Sequence, residues 1–179
     1  MNLDIDNNMI SEMFIHVPMC THYDPKNITI LGSDEYSDKE LQRYENITIN
    51  RDLDKSEQDI ILVNGKITSS EKLSELNSKL HENGILVAKV DDFVDSLDEL
   101  SKTLQMSGTF FWINMIYKAQ FKESQTFLFA SKKYHPTADI NLQRSDLLDD
   151  LVYYSSDMHR ASFILPNAID ISLRGILKK

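Results

Sequence analysis

With 179 residues, 41% of them hydrophobic and 26% charged, the chain has the make-up of one globular domain, 1–179, able to bury a core without staples. Its 28 acidic against 19 basic residues leave a formal charge of −9, which argues against duplex nucleic acid or an anionic membrane as main partner. Cys20 is the single cysteine, so no internal disulfide forms and a reducing compartment is expected. No stretch reaches the roughly 18 apolar residues of a membrane span. "MNLDIDNNMI" lacks the basic and apolar parts of a signal peptide, and the expected location is cytoplasmic.

The first strand signal is "NITILGS" (27–33), an apolar run that ends at one glycine and passes into a short helix reaching Tyr44. "ENITIN" (45–50) alternates Ile47 and Ile49 with polar residues, the pattern of an edge strand. "DIILVNG" (59–65) reads as a buried strand. Thr68 and Glu71 then predict a capping box, Leu73, Leu76 and Leu80 an apolar stripe, and Gly84 a stop. After the strand "GILVAKV" (84–90), Ser96 and Glu99 repeat the box, Leu97, Leu100 and Leu104 the stripe, and Gly108 ends the helix. "TFFWINMIYK" (109–118) and "QTFLFAS" (125–131) predict a closing antiparallel hairpin. Residues 145–166 are helical in pattern, broken around Tyr153–Ser156 and closed by Pro166.

This alternation predicts an α/β fold with a mostly parallel, Rossmann-like sheet and right-handed crossovers. The final hairpin gives it the ending of the S-adenosylmethionine-dependent methyltransferase-type sheet. The join after "ITINRD" is short: "LDKSEQ" cannot hold a crossover helix, and adjacent parallel strands need a dozen or more residues between them. Either the strands it joins are not parallel neighbours, or one helix-strand unit is missing.

Two segments carry a family resemblance. "EMFIHVPMCTHYDPKNITILG" (12–32) resembles the approach to the first strand in spermidine synthases, the polyamine aminopropyltransferases. The matching positions are Glu12, Met13, His16, Pro18, His22, Pro25 and Lys26. "YYSSDMHRASFILP" (153–166) is similar to that family's C-terminal signature at Tyr153, Tyr154, His159, Arg160, Ala161, Phe163, Leu165 and Pro166. The strand order between them agrees, so the resemblance runs from about residue 10 to 170. It implies transfer of an aminopropyl group from decarboxylated S-adenosylmethionine to putrescine. A site for that reaction holds two cationic ligands, and carboxylates are their natural partners.

Set against the family's site, the implied cofactor-binding positions are degenerate. The glycine-rich turn stands here as Gly32-Ser33-Asp34-Glu35-Tyr36, with one glycine and the aspartate kept. Asn50 falls where an acidic residue receives the ribose hydroxyls. Asn64 falls at the position of the family's catalytic base, followed by Gly65 and Lys66; an amide accepts no proton, and Lys66 repels a polyamine. Ile10 and Ser11 replace an aromatic-polar pair, and Phe121 is the weak match for a substrate-binding tyrosine. The family's small N-terminal β-domain is expected to be absent, either by design or because a longer reading frame was cut short.

Other residues invite chemistry and have plainer readings. His16, Cys20 and His22 spell a zinc-like H-x3-C-x-H, yet both histidines belong to the family pattern, and packing with no metal is expected. Tyr153, Tyr154 and His159 read as a brace for the C-terminal segment. Asp91, Asp92 and Asp95 follow a strand end where ligands of open α/β sheets bind, but fit solvated capping. Phe110, Phe111 and Trp112 fit core or dimer surface. The expectation is a spermidine synthase-like protein without turnover or cofactor, acting structurally or in regulation as a homodimer or as partner of a full-length synthase. The alternatives are an active aminopropyltransferase using decarboxylated S-adenosylmethionine, with Asp34 and Asp91 or Asp92 as substitute carboxylates, and a small methyltransferase.

Overall fold

The computed structural model describes residues 4–179, so the first three residues of the N-terminal stretch read above lie outside it. Its elements are α1 (Ile5–Thr21), β1 (Asn27–Leu31), α2 (Glu35–Leu41), β2 (Thr48–Asn50), β3 (Gln58–Val63), α3 (Ser70–Lys79) and β4 (Leu80–Val90). Then follow α4 (Leu97–Ser107), β5 (Ile113–Gln120), β6 (Ser124–Ser131), α5 (Leu142–Asp146), α6 (Ser156–Ala161) and α7 (Asn167–Ser172). The strands form one six-stranded sheet in the order β2-β1-β3-β4-β6-β5. β2, β1, β3 and β4 are parallel, and β6 and β5 close the sheet as an antiparallel hairpin.

Strand alternation divides the core in two. Ile28, Ile30, Ile60, Leu62, Ile85, Val87, Phe127 and Phe129 face α1, α2 and the chain around Tyr154 and Phe163. Ile61, Leu86, Ala88, Val90 and Leu128 face the leucine stripes of α3 and α4 and the C-terminal Leu173.

β2 and β3 are parallel but not adjacent, since β1 lies between them. β2 stops at Asn50, level with Thr29 in the middle of β1. Residues 51–57, extended to about 25 Å at most, therefore need only a short drop and a crossing of two gaps of about 4.8 Å. Early termination of β2 is what lets so short a join work.

The punctuation differs in detail from the sequence pattern. Ser69, not Thr68, caps α3, accepting from Lys72 N at 3.2 Å. The Ser96 hydroxyl makes no capping bond; the loop before α4 is organised by Asp92, whose Oδ1 accepts from Val94 N at 2.9 Å and whose carbonyl accepts from Ser96 N. Gly84 lies inside β4, where a Cβ would come 2.8 Å from Leu80 Cδ2, so it allows a close approach and stops nothing. Gly108 does end α4, in a right-handed conformation.

Helix α1 left no stripe to read because it is buried on every side from Ser11 to Thr21. Glu12 sits within it, and its carboxylate accepts from three consecutive backbone amides, Val152 N and Tyr153 N at 2.8 Å and Tyr154 N at 2.7 Å. Amides turned toward a carboxylate cannot bond helical carbonyls. The helical pattern over 145–166 is therefore realised only as α5 and α6, with 147–155 irregular between them. The clamp also directs the Tyr153 hydroxyl onto Gln120 at the end of edge strand β5, whose flank is further covered by Ser162 and Lys178.

Two outcomes are expected. Glu12→Ala leaves three amides without their acceptor and should lower stability by at least about 3 kcal/mol in urea unfolding; a loss below about 1 kcal/mol would deny the clamp. Burial pushes the imidazole of His159 down to about 3 and that of His22 to about 4, and lowers His16 as well. Unfolded, each protonates near 6.5, so the unfolded state binds more protons below that pH. Stability should hold above pH 6.5 and fall as the pH drops toward 4. His159→Gln should flatten this slope by about 1.4 kcal/mol per pH unit between pH 6 and 4, and an unchanged slope would contradict it.

Candidate functional site at the carboxyl end of the sheet

The register across the central strands places Leu31, Val63, Ala88 and Leu128 side by side. One residue further on come Gly32, Asn64 and Lys89, the last paired with Phe127 on the face that carries α1. This is the edge outside which ligands of open α/β sheets bind. Gly32 turns the chain away from β1 with φ +74°, a conformation strained for any residue with a Cβ. Asp34 then caps α2, accepting from Ser37 N at 2.8 Å. Asn64 hands its amide hydrogens to this turn, donating from Nδ2 to Gly32 O at 2.7 Å and to Asp34 Oδ2 at 3.1 Å. The structure thus brings Gly32, Asp34 and Asn64 together, with the amide of Asn64 spent on holding the turn.

Lys89 is the residue that sequence reading passed over. It follows Ala88, the partner of Val63, and is half-buried at the edge of a cleft that also holds Lys66 and Asp91. Burial lowers its ammonium below the usual lysine value, and Asp34 is the one charge that acts the other way. The signal was present as a lone lysine in the otherwise apolar run "ILVAKV".

Two of the three aspartates after β4, Asp91 and Asp92, are paired with lysines. Asp91 pairs with Lys66 beside a cleft of about 240 Å³ that also takes in Glu99 and Lys102. Asp92 pairs with Lys118 at 2.8 Å and accepts from the Thr126 hydroxyl at 3.0 Å. Burial acts to raise its carboxyl, but Lys118 and these hydrogen bonds outweigh it and hold the group ionised. The Lys118 ammonium also lies 4.7 Å over the Phe93 ring.

Asn50 and Phe121 lie apart from the row. Asn50 turns back into the sheet and donates to Gln58 Oε1 at 2.9 Å, an oxygen that also accepts from the Thr29 hydroxyl. Phe121 sits at the tip of the β5–β6 hairpin with half of its surface exposed. The hairpin tip is tied to the first turn of α1, since Asp6 Oδ1 accepts from Lys122 N and Glu123 N at 3.1 Å each.

The other candidate clusters are internal. His16 bonds Tyr44 OH at 2.7 Å and Glu40 Oε2 at 2.9 Å, while His22 packs on Tyr134, with its Nε2 3.8 Å from Asp59. Among the described residues no group of three or more His, Cys, Asp or Glu side chains could hold a metal ion. Tyr154 OH meets His159 Nδ1 at 3.0 Å. Burial pushes the phenol well above its usual value and the imidazole down to about 3, so both stay neutral and brace the segment. In the aromatic run Phe111 is buried, whereas Trp112 is 80% exposed.

No family model matches the chain. The polyamine aminopropyltransferase of Helicobacter acinonychis is 29% identical over 130 residues, 72% of this chain and 48% of that protein. The chain therefore spans about half the length of this relative. That of Lachnospira eligens is 27% identical over 220 residues, covering 89% of this chain and 75% of its own. An alignment longer than 179 residues means that this relative carries internal segments missing here. The crystal structure of spermidine synthase from Thermotoga maritima superposes with a TM-score of 0.81 at 21% identity, over 93% of this chain and 74% of that one. The fold is thus the methyltransferase-like α/β fold of spermidine synthase, in shorter form. The chain is related to the polyamine aminopropyltransferases, the spermidine synthase family, at low identity.

Gly32→Ala should cost about 1–2 kcal/mol through its left-handed φ. Asn64→Leu should cost about 1 kcal/mol by releasing the turn. Because both act on one turn, the double variant should lose less than the sum of the two in urea unfolding, and strict additivity would show that Asn64 does not hold the turn.

Proposed function

We propose that this protein is a spermidine synthase-like relative that performs no aminopropyl transfer itself and has a structural or regulatory role. Aminopropyl transfer needs an amine that has given up its proton, poised beside a carbon attached to a sulfonium. The arrangement supporting this reading is an amide and a lysine, Asn64 and Lys89, each one residue past the registered pair Val63–Ala88. Asn64, at the position matching the family's base, accepts no proton and uses its amide on the Gly32–Asp34 turn. Lys89 beside it repels a second cation by about 3 kcal/mol at 5 Å and an effective dielectric of about 20. Asp34 offsets part of this but already serves Asn64 and the α2 cap. Asp91 and Asp92, the nearby substitutes for a base, are paired with Lys66 and Lys118.

The remaining role is association, as a homodimer or with a full-length synthase, without a cofactor and in the cytoplasm. Among the described residues no helix is long and apolar enough to cross a membrane. The test is incubation of the purified chain with putrescine and decarboxylated S-adenosylmethionine, read as spermidine formed. No product above the uncatalysed background is expected. Turnover approaching the 1 s⁻¹ of ordinary enzymes would overturn the proposal.

A further inference from the structure

We propose that Asn64-Gly65 is a site of spontaneous deamidation in the folded chain, and that the carboxylate formed there releases the turn after β1. The inference goes beyond the proposed function and does not depend on it. In this chemistry the backbone nitrogen of the residue after an asparagine gives its proton to solvent and attacks the side-chain Cγ. The new N–Cγ bond forms, the Cγ–Nδ2 bond breaks, ammonia leaves, and a cyclic succinimide remains. Water then opens the ring. Cleavage at Cγ leaves aspartate, and cleavage at the main-chain carbonyl leaves isoaspartate. Water is the only co-reactant. A glycine in the second position favours the attack, because no Cβ stands in its way.

The sequence holds two such dipeptides, Asn64-Gly65 and Asn83-Gly84, and the structure separates them. Gly65 lies past the end of β3 in open space, with nothing within 4 Å of where a Cβ would stand. Among the described residues no acceptor takes its N–H. Gly84 is buried inside β4, where a Cβ would come 3.1 Å from Gln58 O, and its carbonyl accepts from Lys132 N at 3.1 Å. The two bonds from Asn64 Nδ2 each hold the reaction back by about fivefold. Closing a ring on Gly84 requires β4 to part from its neighbours, and the opening of a core strand is rarer by orders of magnitude. Asn64 is therefore the reactive residue. Its product inverts the local bonding: Nδ2 donates to Gly32 O at 2.7 Å and to Asp34 Oδ2 at 3.1 Å, whereas a carboxylate in its place brings only acceptors and a like charge. The tie between β3 and the turn is then lost.

The test is ageing of the purified native chain in mildly alkaline buffer, followed by tryptic mapping. Cleavage after Lys55, Lys66, Lys79 and Lys89 places the two sites in separate peptides, 56–66 and 80–89. Aspartyl and isoaspartyl forms should accumulate in 56–66 at least about tenfold faster than in 80–89. Gly65→Ala, for which the structure leaves room, should slow the conversion of 56–66. No conversion of 56–66, equal conversion of both peptides, or a rate untouched by Gly65→Ala would overturn the assignment. For the consequence, Asn64→Asp should unfold at lower urea than Asn64→Leu, which removes the donor without adding charge. A midpoint equal to that of wild type would overturn the release of the turn. Should Asn64→Asp fail to fold, the more acidic fraction of aged wild type, separated by charge, serves instead: it should unfold at lower urea than the unmodified fraction, and an equal midpoint would contradict the release. None of these readouts involves turnover, so spermidine formation by wild type would sink the non-catalytic reading and leave this one standing.

Discussion

A single buried carboxylate joins the two ends of the molecule. Glu12 lies inside α1 with almost no exposure and gathers the amides of Val152, Tyr153 and Tyr154. Taking a carboxylate out of water costs several kcal/mol, and charge-assisted bonds to aligned donors offset that cost. Its consequences extend outward from there. The chain after α5 cannot run on as a helix, Tyr154 is delivered to His159, and the Tyr153 hydroxyl seals the end of β5. The two segments that resemble spermidine synthases most closely are thus halves of one physical device.

That device is independent of the crevice. On the α1 side, His16, Glu40, Arg43 and Tyr44 form a connected polar cluster. Burial works to raise the Glu40 carboxyl, but His16 and Arg43 outweigh it and keep it ionised. At the carboxyl end of the sheet the same chain sets Asn64 and Lys89 one residue past the pair Val63–Ala88 and pairs Asp91 and Asp92 with lysines. On the proposed function, a scaffold that keeps this bracing while its crevice carries opposing charge stays folded and serves poorly as a receptor for two cations.

Much of the fold was legible because strand burial has a short period. "NITIL", "DIILV", "GILVAKV" and "QTFLFAS" mark strands with little ambiguity, and the leucine stripes of α3 and α4 repeat at helical spacing. Helix α1 was not legible, because a helix buried all round has no polar face to set a period. The break around Tyr153–Ser156 was legible, but its extension back to residue 147 was not, because its cause is a contact 140 residues away in sequence. Within the site, Asn64 and Gly32 could be placed from their strands, but the fact that Asn50 turns toward Gln58 depends on where β2 stops. Lys89 gains its meaning only when the Val63–Ala88 register brings it to the same end of the sheet as Asn64.

The central claim, that a sheet end holding Asn64 and Lys89 cannot retain a cationic sulfonium donor, is tested most directly by isothermal titration of the intact chain with decarboxylated S-adenosylmethionine. No saturable heat up to millimolar donor is the result this account requires. A saturable isotherm with micromolar affinity, unaffected by salt, would contradict it.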